Sequence, residues 1–239
     1  MNTIRTLVIQ FANELSAKEI PLFRGAVIQS MEESNILFHN HTPDGFRYSY
    51  PLIQYKRIKG KAAIVCINEG ADTIGQFITN YDKPLIVGER VVMLDIGRVI
   101  PTKIRVQAWT DPFTYHIQNW LPLNSKNYKS FKDISDEQEK KAFLANILKA
   151  NIISMMKGLD IKLDDEIKLD ICWLSNSKVL QHKGILMTAF NAVFRCNVSI
   201  PNYIGLGKSV SLGFGTVFLK KKTEQTDDEH INDNNDNNE

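Results

Sequence analysis

At 239 residues with an apolar fraction of 43%, the chain has material for one large core or two small ones. No run approaches the roughly 20 apolar residues of a membrane span, and Met1-Asn2-Thr3-Ile4-Arg5 opens without the basic start and long apolar stretch of a secretory leader, so no membrane partner and a cytoplasmic location are expected. The net charge of +2 conceals a division: seven acids and no lysine or arginine lie beyond Lys222, which leaves residues 1–222 with a net of +9, a balance that suits a polyanionic partner without demanding one.

Thr6 to Phe11 reads as a strand. Pro21 suits the first turn of a helix, and Leu22, Phe23, Ala26, Val27 and Met31 follow at helical spacing. Pro43, Asp44 and Gly45 make a turn cluster. Leu52 to Arg57 and Ala62 to Ile67 read as two strands of a hairpin closed by Ile58-Lys59-Gly60-Lys61. Asp72 is placed to cap a short helix carrying Ile74, Phe77 and Ile78, and Arg90 to Ile96 reads as a further strand. That order, βαββαβ, is the ferredoxin-like unit.

Pro101 is the expected boundary, with Lys103 to Trp109 opening a second unit. A polar connection from Asn124 to Asp133 precedes the clearest helix. There Ser135 and Gln138 have capping-box spacing, Phe143, Leu144, Ile147, Leu148, Ile152, Met155 and Met156 form one stripe, and Gly158 ends it. Strands follow at Glu166 to Leu174 and at Ile185 to Ile200, the second long enough to require a bend or bulge. A glycine-rich loop then stands where a second helix belongs, before a last strand from Thr216 to Leu219. The fold class is therefore α+β: two tandem ferredoxin-like (RRM-like) βαββαβ domains, 1–100 and 101–222, the second degenerate. Residues 223–239 form an acidic tail with almost nothing to bury and are expected to be disordered. Cys66, Cys172 and Cys196 each lie in an apolar run without metal-type spacing and read as buried thiols of a reducing compartment.

Two stretches can carry chemistry. In the first, Gly205, Gly207, Gly213 and Gly215 surround Lys208, Ser209 and Ser211. Glycines let backbone N–H groups approach a bulky anion, and the lysine and serines add donors, so a phosphate is the natural ligand. A plain glycine turn is the competing reading. Gly207-Lys208-Ser209 resembles the end of a P-loop, but Asn202 stands where that motif needs its first glycine, and too little chain follows to build a nucleotide-binding unit. In the second, His39-Asn40-His41, an extended backbone points both imidazoles the same way, roughly 6.5–7 Å apart. Such a pair can flank one phosphate, one ring taking a proton from an attacking hydroxyl and the other giving one to the leaving oxygen. RNA supplies its own nucleophile, the 2′-hydroxyl. A zinc half-site without a nearby third ligand, or two surface histidines, are the alternatives, and the spacing is not that of an HNH nuclease. Beyond the pair, Arg47, Tyr48, Tyr50, Tyr55, Lys56, Arg57, Lys59 and Lys61 interleave cations with rings, as RNA binding requires; a solvated strand pair has the same composition.

Four segments in order, Leu22-Phe23-Arg24-Gly25-Ala26, Leu37-Phe38-His39-Asn40-His41, Tyr50-Pro51-Leu52-Ile53-Gln54-Tyr55-Lys56 and the glycine loop, resemble the CRISPR repeat-processing endoribonucleases of the Cas-six type, in the branch with two histidines after the first helix. The resemblance spans residues 1 to about 222 and leaves the acidic tail outside its pattern. It implies a metal-independent cut within each repeat of the CRISPR precursor transcript, with no cofactor and no metal, giving a 5′-hydroxyl and a 2′,3′-cyclic phosphate. It places the catalytic histidines on His39 and His41, with Tyr50 and Lys56 as supporting catalytic groups. RNA contacts are expected from Arg24, Arg57, Lys59, Gly205, Gly207, Lys208, Ser209, Gly213 and Gly215. The implied partner is CRISPR repeat RNA; a CRISPR interference complex and a homo-oligomer are open as further partners. A non-catalytic repeat-binding subunit of the same fold is the alternative. Two convergent imidazoles favour the enzyme, since binding alone does not need them.

Overall fold

The structure, a computed structural model, describes residues 2–30, 41–42, 45–46, 50–79, 83–182 and 184–220. His39 and the tail from residue 221 on lie outside the described residues. The first unit opens with β1 (Thr3–Glu14) and α1 (Ile20–Gln29), whose first turn holds Pro21, where a missing N–H costs nothing. Two-residue strands β2 (His41–Thr42) and β3 (Gly45–Phe46) pair with each other. β4 (Ile53–Ile58) and β5 (Lys61–Ile67) form the expected hairpin. Its two turn residues, Lys59 and Gly60, have φ of +50° and +81°, the left-handed pair that matches the twist of a tight hairpin.

Short helices α2 (Glu69–Thr73) and α3 (Gly75–Thr79) follow. Asp72 lies inside α2 instead of capping a helix, and its carboxylate pairs with Arg5 at 2.8 Å. Arg90 to Ile96 is not one strand: β6 (Leu85–Val87) and β7 (Arg90–Val92) make a separate hairpin, and the closing strand of the unit is β8 (Ile96–Arg105). Pro101 therefore does not separate the units. It sits within β8 opposite Leu7, tolerated because β8 is an edge strand whose outer N–H groups need no partner.

The second sheet begins with β9 (Ala108–Trp120), most of which the sequence pattern does not suggest. Asp111 and Pro112 fall in a register break between the Phe113↔Cys196 and Ala108↔Val198 pairs. The polar connection is a helix, α4 (Ser125–Asp133), capped by the Asn124 side chain, which accepts from the Asn127 N–H, and pinned by Phe131 against Phe190. α5 (Glu137–Gly158) is capped by Asp136, whose carboxylate accepts from the Glu139 N–H, and not by the Ser135 box. Its buried stripe is Leu144, Leu148, Ile152, Met155 and Met156. β10 (Leu169–Leu174), β11 (Lys178–His182), β12 (Ile185–Val198) and β13 (Thr216–Leu219) complete the unit, and β12 carries the expected irregularities, at Phe190/Ala192 and Cys196/Val198.

The spatial orders β4-β5-β1-β8 and β10-β12-β9-β13 are the same order when strands are counted within each unit, second-third-first-fourth. Two ferredoxin-like units stand in tandem, and in the second the glycine loop with one 3-10 turn (Val210–Leu212) replaces the second helix. The first sheet is buried on both faces. Ile9, Phe11, Ile53, Tyr55, Ile64 and Cys66 face α1 and α3; Ile4, Val8, Ile58, Ala63, Val65 and Ile67 join Tyr115, Ile117 and Phe194 of the second unit in one core. The unbroken apolar run of β5 follows from that double burial. Cys66 and Cys196 are buried as expected, but Cys172 is exposed, turned outward on β10, where the register shifts between Ile171 and Trp173.

Candidate nucleic-acid interface

The glycine loop leaves β12, passes over β4, one of the two edge strands of the first sheet, and returns into β13. Its packing explains most of its glycines. A Cβ on Gly205 meets the Val210 side chain at 2.5 Å and the Lys56 ammonium at 2.9 Å; one on Gly215 meets the Leu206 carbonyl oxygen at 1.9 Å. Gly207, at φ +92°, rests on Trp120 and Asn151, which are themselves hydrogen-bonded at 2.9 Å, and Gly213, at φ +86°, on Ile20 of α1. Gly205, Leu206, Val210 and Gly215 are buried, whereas Gly207 to Ser209 and Ser211 to Phe214 come partly to the surface. Those two stretches are the part of the loop that a ligand can reach.

Among the described residues, three side chains of the first unit hold the loop's backbone. The Tyr50 hydroxyl donates to the Gly205 carbonyl at 2.7 Å, and the Gly205 N–H donates to Gln54 Oε1 at 2.9 Å. Lys56, fully buried, donates from Nζ to the Val210 carbonyl at 3.0 Å. Gln54 is braced in turn by donating to the Pro51 carbonyl at 3.0 Å. Burial raises the Tyr50 hydroxyl above its ordinary value. Burial alone lowers the Lys56 ammonium to about 7, and among the described residues no carboxylate pairs with it. Lys208, half-buried and lowered by that burial, donates to the Leu123 carbonyl just before α4.

The other expected RNA contacts are placed apart from this cluster. Arg24 is half-buried on α1. Arg57 is exposed, with Nε donating to the Leu15 carbonyl at 2.6 Å, and Lys59 is exposed at the hairpin turn. Strand alternation puts Arg57 on the face of β4 toward α1, opposite Gln54 and Lys56. Ser209 adopts φ +54° and starts the 3-10 turn. His41 lies in β2 with its backbone paired to Phe46. Among the described residues no three His, Cys, Asp or Glu side chains cluster as a metal site, and no helix is long and apolar enough to cross a membrane.

Residues 2–104 match the family model for the Cas6b N-terminal domain, and residues 107–219 match the model for the Cas6b C-terminal domain. The chain belongs to the Cas6b family. A solved structure described as Cas6b superposes with a TM-score of 0.82 at 29% identity, over 91% of this chain and 100% of that one. A second, described as the CRISPR RNA processing endoribonuclease Cas6b, gives 0.71 at 26% identity over the same shares. The uncharacterized protein MJ0978 of Methanocaldococcus jannaschii is 41% identical over 101 residues, 42% of this chain and 67% of that protein. In this Cas6b-family chain the resemblance singled out Tyr50 and Lys56, as supporting catalytic groups, but not Gln54. The signal was present: Gln54 stands two places from Lys56 and so on the same face of β4.

Proposed function

We propose that the protein is a metal-independent endoribonuclease that cuts CRISPR precursor RNA within its repeats. The observation that carries this is the match of both halves of the chain to Cas6b, together with the similarity to a Cas6b structure described as a CRISPR RNA processing endoribonuclease. The chemistry rests on His39 and His41. One imidazole takes the proton of the 2′-hydroxyl as that oxygen bonds to phosphorus; the other protonates the 5′-oxygen as its bond to phosphorus breaks. The products are a 2′,3′-cyclic phosphate and a 5′-hydroxyl, and the released pieces are guide RNAs for a CRISPR interference complex. Lys208 and the surface parts of the glycine loop bind the repeat's phosphates, helped by Arg24, Arg57 and Lys59 on the first unit.

The test is incubation of the full chain with labelled repeat RNA from its own genome in EDTA, beside a repeat with deoxyribose at the nucleotide 5′ of the cut. Cleavage of the first and binding without cleavage of the second are expected. Cleavage of the deoxy repeat sinks the 2′-hydroxyl mechanism, and binding of both without cleavage leaves a non-catalytic repeat holder.

A further inference from the structure

We propose that Tyr50, Gln54 and Lys56 are positioning residues: together they clamp the backbone of the glycine loop at Gly205 and Val210 and so hold it in the shape that receives RNA. The inference rests on the endoribonuclease reading for the identity of the ligand, but the clamp itself is a matter of geometry. Both polar groups of the Gly205 peptide region are engaged from the first unit, its carbonyl by Tyr50 at 2.7 Å and its N–H by Gln54 at 2.9 Å. Five residues on, the Val210 carbonyl takes the Lys56 ammonium at 3.0 Å. Between these two anchor points lie Gly207, Lys208 and Ser209, which reach the surface. The loop therefore emerges as a short arch pinned at both feet.

The clamp also joins the two ferredoxin-like units. Tyr50 packs so closely on the end of α5 that a Cβ at Gly158 meets the Tyr50 Cβ at 2.5 Å. Gln54 and Lys56 stand on the face of β4 turned toward the second unit, and the loop covers that strand. A fully buried ammonium with no carboxylate partner among the described residues is expensive, so stability alone does not account for a lysine at this position. Its head is spent on one loop carbonyl. The heads of Tyr50 and Lys56 thus act on the loop backbone and not on the scissile phosphate, and their effect on cleavage runs through the loop.

Stability and RNA affinity then move in opposite directions on Lys56→Met, which keeps the length of the side chain and removes the buried amine. The full-length variant is expected to melt at or above the wild-type temperature at pH 7. Its loop amides from Gly205 to Leu212 should exchange faster with deuterium while β9 and β12 stay protected. The KM for repeat RNA should rise about tenfold, the scale of one hydrogen bond. Tyr50→Phe should speed the same amides and raise the KM by a similar factor. Wild-type loop exchange and wild-type KM in both variants overturn the proposal. So does a Lys56→Met variant that loses kcat at an unchanged KM, because Lys56 then serves the chemical step directly. If the wild-type chain neither binds nor cuts repeat RNA, the endoribonuclease reading falls, and the exchange rates of the loop still decide the clamp.

Discussion

Burial of Lys56 predicts a pH dependence of folding that a surface lysine does not have. Its amine falls from an ordinary 10.5 to about 7 in the folded chain. Between those values the unfolded chain holds the proton and the folded chain has released it, so stability rises with pH, by up to ~1.4 kcal/mol per unit. At pH 7 the folded amine is half protonated; from there to pH 9 the gain is about 2 kcal/mol. Well below pH 7 both states hold the proton and the slope vanishes. Above pH 9 groups of opposite sign take over. Burial raises the Cys66 and Cys196 thiols above 9.0 and the Tyr50, Tyr55 and Tyr115 hydroxyls above 10.0, and the stability they contribute at lower pH is lost as the unfolded groups ionise first. The clean window is therefore pH 7 to 9. Urea unfolding of the full-length wild type and of Lys56→Met at pH 7, 8 and 9 measures it. The wild type should gain about 2 kcal/mol on the variant across the window, with equal m values. Parallel stability curves for the two proteins refute the reasoning, because they mean that the lysine keeps its proton in the folded state or is not buried.

His39→Ala and His41→Ala should each slow single-turnover cleavage by about 10²–10⁴, the range for a full general acid or base, with RNA affinity changed far less; a double variant that cuts at the wild-type rate removes the site. Gly215→Ala forces a Cβ to 1.9 Å from the Leu206 oxygen at a φ of +60°, so the loop must rebuild and the melting temperature should fall by several degrees; an unchanged melting temperature means that the loop is free to shift. Lys208→Ala should weaken repeat RNA binding and lower the slope of log affinity against log salt by about one, which a salt titration reads directly; an unchanged slope means that Lys208 contacts no phosphate.

The two units were legible because their strands are short apolar and β-branched runs bounded by turn signals and their helices carry stripes. β1, the β4–β5 hairpin, α1, α5 and β12 were all expected close to where they stand. What the pattern hid was hidden by local features with tertiary causes. Pro101 reads as a boundary and is an edge-strand residue, and the polar run of α4 reads as a connection although Phe131 ties that helix to the core. Lys56 reads as a supporting catalytic group among cations interleaved with rings, and its burial stays hidden because no local pattern records that the second unit lies on that face of β4. The glycine loop is the instructive case. Its composition points to a phosphate cradle, yet Gly205 and Gly215 are required by Val210, Lys56 and Leu206 whether or not RNA binds. Loss of function on substituting those glycines therefore says nothing about RNA contact. Substitutions that keep the glycines and change only what surrounds them separate the two roles: Lys208→Ala alters the charge offered at the surface, and Lys56→Met alters the hold on the loop from beneath. If both weaken RNA binding while only the second loosens the loop, the arch is both built and used as the geometry indicates.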